Sequence, residues 1–166
     1  MRPARRRTLA LLALPLCASC GFHLRGDVEY AFKSLYLNAP ADNPLTSELR
    51  RAIEGATGAL LVPSPASAQV ILDIAGIADD KEVLSLSGGG RVREFLLVKR
   101  VTIALHDASG RDWLPGGDIA VRRSYTFNET EVLAREAQEA RLLKEMQSDL
   151  VQQIVRRLQA ARAPVA

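Results

Sequence analysis

Glu94–Asp107, EFLLVKRVTIALHD, is the longest strand-like stretch of the chain. Phe95, Leu97, Val101, Ile103 and Leu105 fall on one face, interrupted by Lys99. Glu94, Arg100, Thr102 and His106 fall on the other, with Leu96 and Val98 among them. A strand turns successive side chains to opposite faces, so this stretch predicts one buried face and one mixed face. Such a strand suits an antiparallel-rich sheet covered by helices on one side.

Upstream, Gln69–Ala78 (QVILDIAGIA) is a second strong strand, with Val70, Leu72, Ile74 and Gly76 on one face. Val83–Leu86 continues it or pairs beside it, while Asp79, Asp80 and Glu82 read as a solvated loop cluster. Lys33–Asn38 (KSLYLN) alternates Leu35 and Leu37 and is a candidate first strand. Asn43-Pro44 starts a helix, an Asn cap with Pro in the first turn. Leu45, Leu49, Ala52, Ile53 and Ala56 make its apolar stripe, and Gly58 is its stop. That stripe packs on the rest of the fold; a partner-binding helix is the alternative. Ala59–Val62 is too short to assign, and Pro63-Ser64-Pro65 breaks the chain.

Downstream, Ala108–Arg111 reads as a turn and Trp113–Gly117 as a loop holding the only Trp. That Trp either folds back over its loop or anchors a contact. Ile119–Phe127 is a further strand, with Arg122 and Arg123 on opposite faces. Asn128–Glu131 has the form of a capping box and opens a helix of about 30 residues to Ala161. Leu143, Met146, Leu150, Ile154 and Leu158 form its core stripe, widened by Val151 and Val155.

The N-terminus reads as an export signal. Arg2, Arg5, Arg6 and Arg7 precede the apolar run Thr8–Leu16, which is far shorter than the ~20 residues of a spanning helix. Ala18 and Ser19 are small, so a signal peptidase can approach the backbone before Cys20, whose thiol then takes a diacylglycerol. An ordinary cleaved signal and a retained anchor are the alternatives. Residues 1–19 hold four Arg and no acid, which leaves 18 basic against 19 acidic side chains in the remainder. The sequence pI of 9.1 therefore overstates the mature charge, and a nucleic-acid role loses its electrostatic footing. With Cys17 cleaved off and Cys20 acylated, no disulfide or thiolate metal site remains. Gly21 is not the Asp that retains lipoproteins in the inner membrane, which favours the outer membrane.

Ser87-Gly88-Gly89-Gly90 lacks the GxxxxGK[ST] spacing of a phosphate loop and leads into a strand. It reads as a flexible hairpin tip, and the sharper alternative is that Arg91 and Arg93 meet an anionic ligand there. His23 and His106 have no nucleophile elbow or metal motif beside them, so an enzyme is not expected.

Cys20-Gly21-Phe22-His23-Leu24-Arg25-Gly26 resembles the mature start of the LPS-assembly lipoprotein LptE family. Leu133-Ala134-Arg135, Leu142-Leu143-Lys144-Glu145-Met146 and Arg122-Arg123-Ser124-Tyr125 resemble further motifs of it. The chain departs from the family at the hairpin tip, where three glycines precede Arg91.

The resemblance implies an α+β fold, a mixed, mostly antiparallel four-stranded sheet packed on one face by two helices. The expected layout is a signal over 1–19, a lipidated tether over 20–32, one domain over 33–161 and a tail over 162–166. The resemblance also implies a non-catalytic role: plugging an LptD-like β-barrel, assisting its assembly and binding lipopolysaccharide for delivery to the outer leaflet. Arg135 matches the family's basic position, and Arg91 and Arg93 are further expected ligand contacts. No cofactor is expected beyond covalent lipid on Cys20. The alternative is a lipoprotein that braces an outer-membrane barrel without binding lipopolysaccharide.

Overall fold

A computed structural model describes residues 30–56, 60–126 and 132–164, with side chains described except at 132–135. The export signal, Cys20, Gly58, Phe127 and the capping-box stretch Asn128–Glu131 lie outside the described residues. The order is β1 (Ser34–Asn38), α1 (Pro44–Glu54), β2 (Leu60–Leu61), a 3-10 turn (Pro65–Ser67), β3 (Val70–Leu86), β4 (Val92–Asp107), β5 (Asp112–Thr126) and α2 (Val132–Ala160).

The fold is α+β, with two helices and one mixed sheet in the order β2-β1-β3-β4-β5. β1 runs parallel to both β2 and β3, while β3, β4 and β5 form an antiparallel meander. The sheet has five strands rather than four. The extra one, β2, is two residues long and exists through pairing with Ser34 and Leu35, a non-local contact that no local pattern announces.

α1 starts as expected, with Asn43 Oδ1 accepting from Leu45 N–H at 2.9 Å and Pro44 in the first turn. Leu45, Leu49 and Ile53 are fully buried. Along α2, Met146, Leu150, Ile154 and Leu158 are fully buried, and they face Val101, Ile103, Leu105 and Ile119 from β4 and β5 in one core. Removing one such leucine side chain costs roughly 2–5 kcal/mol in comparable cores. The two helices are joined by polar bonds as well. Gln147 Nε2 and Ser148 Oγ each donate to the Glu48 carboxylate at 2.7 Å.

Three local expectations are corrected. Tyr30 and Phe32 are core residues rather than tether, with their rings stacked at 5.1 Å. Trp113–Gly117 belongs to β5 rather than to a loop. Trp113 packs edge-on against Phe32 at 6.1 Å, and Pro115 is tolerated because β5 is an edge strand. Asp79, Asp80 and Glu82 lie inside β3 rather than in a loop. Lys99 and Arg100 on β4 neutralise the first two, which lets a charged run stay in a strand.

β3 is one strand of 17 residues with a bulge between Ala75 and Ala78. Gly76 makes it, at φ +56°, where a Cβ would sit 3.0 Å from Thr102 Oγ1. The turns on either side of β4 are tightly bonded. In the first, Gly90 N–H donates to Ser87 O at 2.9 Å and Arg91 N–H to Ser87 Oγ at 3.2 Å. In the second, Asp107 accepts from Ser109 Oγ at 2.6 Å and Arg111 Nε at 2.9 Å. The Ser109 hydroxyl first, then Arg111, holds the Asp107 carboxyl well below the ordinary carboxylate range.

The uncovered sheet face carries paired polar groups. Asn38 Nδ2 donates to Asp73 Oδ1 at 2.6 Å, His106 Nε2 lies 2.9 Å from Asp73 Oδ2, and Thr102 Oγ1 donates to Asp118 at 2.6 Å. His106 Nδ1 donates to Asp107 O at 2.9 Å. That carbonyl first, then the Asp73 carboxylate, raises the His106 pKa, and burial opposes them. A raised folded-state pKa stabilises fully below the unfolded value of about 6.5 and loses that stability as pH rises through the folded value.

Two outcomes follow from this frame. Gly76→Ala forces a side chain into the left-handed region and is expected to cost roughly 1–2 kcal/mol, read from the urea midpoint. An NMR titration is expected to place the His106 pKa above 6.5, and Asp73→Asn to lower it.

Candidate functional site

The distal half of the β3–β4 hairpin carries the least ordinary surface of the molecule. Val83 is 52% exposed, Leu84 49% and Leu86 57%, an aliphatic cluster in sequence broken only by Ser85, on a strand whose buried residues end at Ile74. Arg91 and Arg93 are exposed just beyond it, so the tip combines apolar and cationic side chains.

Cross-strand register explains how the inner face of this half is built. Asp79, Lys99 and Val121 form one row, Lys81, Leu97 and Arg123 the next, and Val83, Phe95 and Tyr125 the third. Lys99 is a buried cation, 6% exposed, and its Nζ meets both Asp79 carboxylate oxygens at 2.5 and 2.6 Å. A buried charge is tolerated only with such pairing. Arg123 reaches Asp149 on α2 at 2.5 Å.

Lys81 sits over the rings of Phe95 and Tyr125, 4.5 and 5.6 Å from their centroids. Its Nζ is 2.5 Å from Glu139 Oε2, and Tyr125 OH donates to the same oxygen at 2.5 Å. The node joins β3, β5 and α2. The bond to Glu139, then that to Tyr125, raises the Lys81 pKa. Burial first, then Glu139, raises that of Tyr125, so the phenol stays neutral and the ammonium charged at pH 7. An open hollow of about 380 Å³ lies here, lined by Lys81, Glu136, Glu139, Ala140 and Leu143. A second, of about 320 Å³, is lined by Ser85, Arg93, Glu94 and Thr126.

The three cations singled out in the sequence gather at this end. Arg91 lies in the β3–β4 turn, where its backbone bonds Ser87. Arg93 lines the second hollow beside the end of β5. Arg135 is in the first turn of α2, one turn before Glu139, and its side chain lies outside those described. Cys20 lies outside the described residues. Lys81, Tyr125 and Glu139 escaped the sequence reading because they meet across 14 to 58 residues of chain. The one available signal was period-2 continuity through Lys81 into Val83, which marks a strand rather than a loop.

His106 is held by Asp73 and the Asp107 carbonyl on the other sheet face, away from this hollow. Among the described residues no three His, Cys, Asp or Glu side chains converge as a metal site.

Comparison with known proteins places the whole arrangement. The model of the family described as "LptE: Lipopolysaccharide-assembly" matches residues 32–158. A curated relative from Yersinia enterocolitica, the LPS-assembly lipoprotein LptE, is 29% identical over 171 aligned positions, covering 96% of this chain and 79% of its own length. The corresponding protein of Pectobacterium atrosepticum is 28% identical over 162 positions, covering 91% and 83%. Among solved structures, the uncharacterized lipoprotein B of Nitrosomonas europaea superposes with a TM-score of 0.74 at 40% identity, covering 84% of this chain and 91% of that one. A minor lipoprotein of Acinetobacter baumannii gives a TM-score of 0.64 at 25% identity, covering 81% and 99%. With the family match running from the core aromatic Phe32 to the last fully buried leucine of α2, this chain belongs to the LptE lipopolysaccharide-assembly family.

Proposed function

We propose that this protein is a non-catalytic outer-membrane lipoprotein, anchored through lipid on Cys20, that binds lipopolysaccharide and supports an LptD-like β-barrel. The observation that carries the ligand half of this reading is the hairpin end. Exposed Val83, Leu84 and Leu86 lie beside exposed Arg91 and Arg93, and the first turn of α2 brings Arg135 to the same end. Lipopolysaccharide offers the matching chemistry of phosphates set next to acyl chains. Arginine holds phosphate by bidentate, charge-assisted bonds, and half-exposed aliphatic side chains gain by covering hydrocarbon.

The barrel half of the reading is supported by the other sheet face. Two acids of this face are paired within it, Asp73 with His106 and Asp80 with Arg100, so it presents a polar surface of mixed sign. Such a surface suits the wet lumen of a β-barrel, whose interior is polar.

The test uses the full-length lipoprotein purified from membranes in mild detergent. Recovery with a stoichiometric β-barrel, identified by mass spectrometry, is expected. Arg135→Glu and the pair Arg91→Glu with Arg93→Glu are each expected to weaken lipopolysaccharide binding by roughly tenfold or more, the worth of one lost charge-assisted bond. Barrel recovery with no lipopolysaccharide binding would leave only a bracing role, and recovery of the lipoprotein alone would overturn both halves.

A further inference from the structure

α2 is held to the sheet in two different ways along its length. From Met146 onward it is packed, with Met146, Leu150, Ile154 and Leu158 fully buried. From Glu136 to Glu145 no residue is buried, and Leu142 and Leu143 only reach the edge of the core. Glu139 ties this first half down, accepting from Tyr125 OH and from Lys81 Nζ at 2.5 Å each. The next polar tie to the sheet among the described residues is Arg123 to Asp149, about 15 Å further along the helix.

The cations assigned to the ligand stand on both sides of the Glu139 tie. Arg91 and Arg93 belong to the hairpin, and Arg135 to the first turn of α2, one turn before Glu139. With no buried side chain on this part of the helix, the placement of Arg135 relative to the hairpin rests largely on that tie.

We propose that Tyr125 and Glu139 are positioning residues of the lipopolysaccharide site: they latch the first half of α2 to the hairpin, so that Arg135 stands with Arg91 and Arg93 as one set of phosphate contacts. This rests on the lipopolysaccharide reading and deepens it. Neither residue is a ligand contact, since Tyr125 is 4% exposed and the Glu139 carboxylate repels phosphate. Their effect is preorganisation: a site with several donors loses affinity when binding itself must bring them together. The phenol donates to a charged acceptor, the stronger kind of hydrogen bond. Lys81 holds the same oxygen and is itself kept in place over the Phe95 and Tyr125 rings. The hollow beside the latch is lined by Lys81 against Glu136 and Glu139, so phosphate is left to the arginines. The sign of the effect separates a latch from a repulsive wall. Losing a carboxylate that only repels the ligand would tighten binding, whereas losing a latch weakens it.

The experiment measures displacement of fluorescent lipopolysaccharide by unlabelled lipopolysaccharide from the full-length lipoprotein in detergent, together with amide hydrogen exchange along α2. Tyr125→Phe removes one hydroxyl and no charge. It is expected to weaken lipopolysaccharide about fivefold and to speed exchange over residues 136–143, with residues 146–158 unchanged. Glu139→Ala is expected to act in the same direction, although it removes a repulsive charge. In an Arg135→Glu background, Tyr125→Phe is expected to add less than about twofold, because Arg135 is no longer there to position. Wild-type affinity or unchanged exchange in Tyr125→Phe, tighter binding in Glu139→Ala, or an undiminished Tyr125→Phe effect beside Arg135→Glu overturns the proposal and leaves the Arg135 reading intact. Wild-type binding by Arg135→Glu, or none by the wild type, overturns both.

Discussion

One apolar sheet face has to be covered, and the structure follows from how that is done. α2 spans 29 residues and lays Met146, Leu150, Ile154 and Leu158 against β4 and β5. α1 fills the space beside it, fixed by the Glu48 bonds to Gln147 and Ser148. α1 has only 11 residues, roughly 16 Å of helix at 1.5 Å per residue. β3 has 17 residues, roughly 56 Å at about 3.3 Å per residue. α1 therefore runs out before the sheet does. The remainder, which only α2 reaches, is where charged, aromatic and exposed aliphatic side chains replace the leucine core.

That mismatch separates two kinds of chemistry along one hairpin. In the proximal half, Val70, Leu72 and Ile74 meet Leu105 and Ile103 in a dry core. In the distal half, the same face passes to Asp79, Lys81 and Val83, and stability is carried by ion pairs and ring contacts instead. Such contacts contribute less per group than buried hydrocarbon, especially when half exposed. The part of the fold best placed to meet a ligand is thus also the part that can rearrange at least cost.

The elements with strong local periodicity were legible in the sequence: the face of β4, the cap and stripe of α1, the stripe of α2 and both turns around β4. What escaped depended on distant partners. β2 exists because β1 offers it an edge, and the start of β5 survives Pro115 because it is an edge itself. Asp79 and Asp80 looked like loop residues until Lys99 and Arg100 stood opposite them. Tyr30 and Phe32 are too few to form a pattern, and only Trp113 reveals them as core. The site divides the same way. Exposed Arg91 and Arg93 at a Gly-rich tip could be read directly, whereas the meeting of Lys81, Tyr125 and Glu139 required the fold.

The bulge at Gly76 also sets a parity for the stretch from Ala78 to Val83. Before it, even-numbered residues of β3 (Val70, Leu72, Ile74) look toward the helices; after it, odd-numbered ones (Asp79, Lys81, Val83) do. A bulge is the way a strand takes in one extra residue while keeping its ladder, and it exchanges odd for even numbering on each face. Losing one residue between Ala75 and Ala78 would therefore remove the bulge and leave Ala78 opposite Arg100 and Asp79 opposite Lys99, with Lys81 still toward α2. The same loss between Ala78 and Lys81, where the ladder is regular, would turn Glu82 inward and send Lys81 to the opposite side. Among chains built on this plan, length can vary at the bulge without moving the site, but not just beyond it.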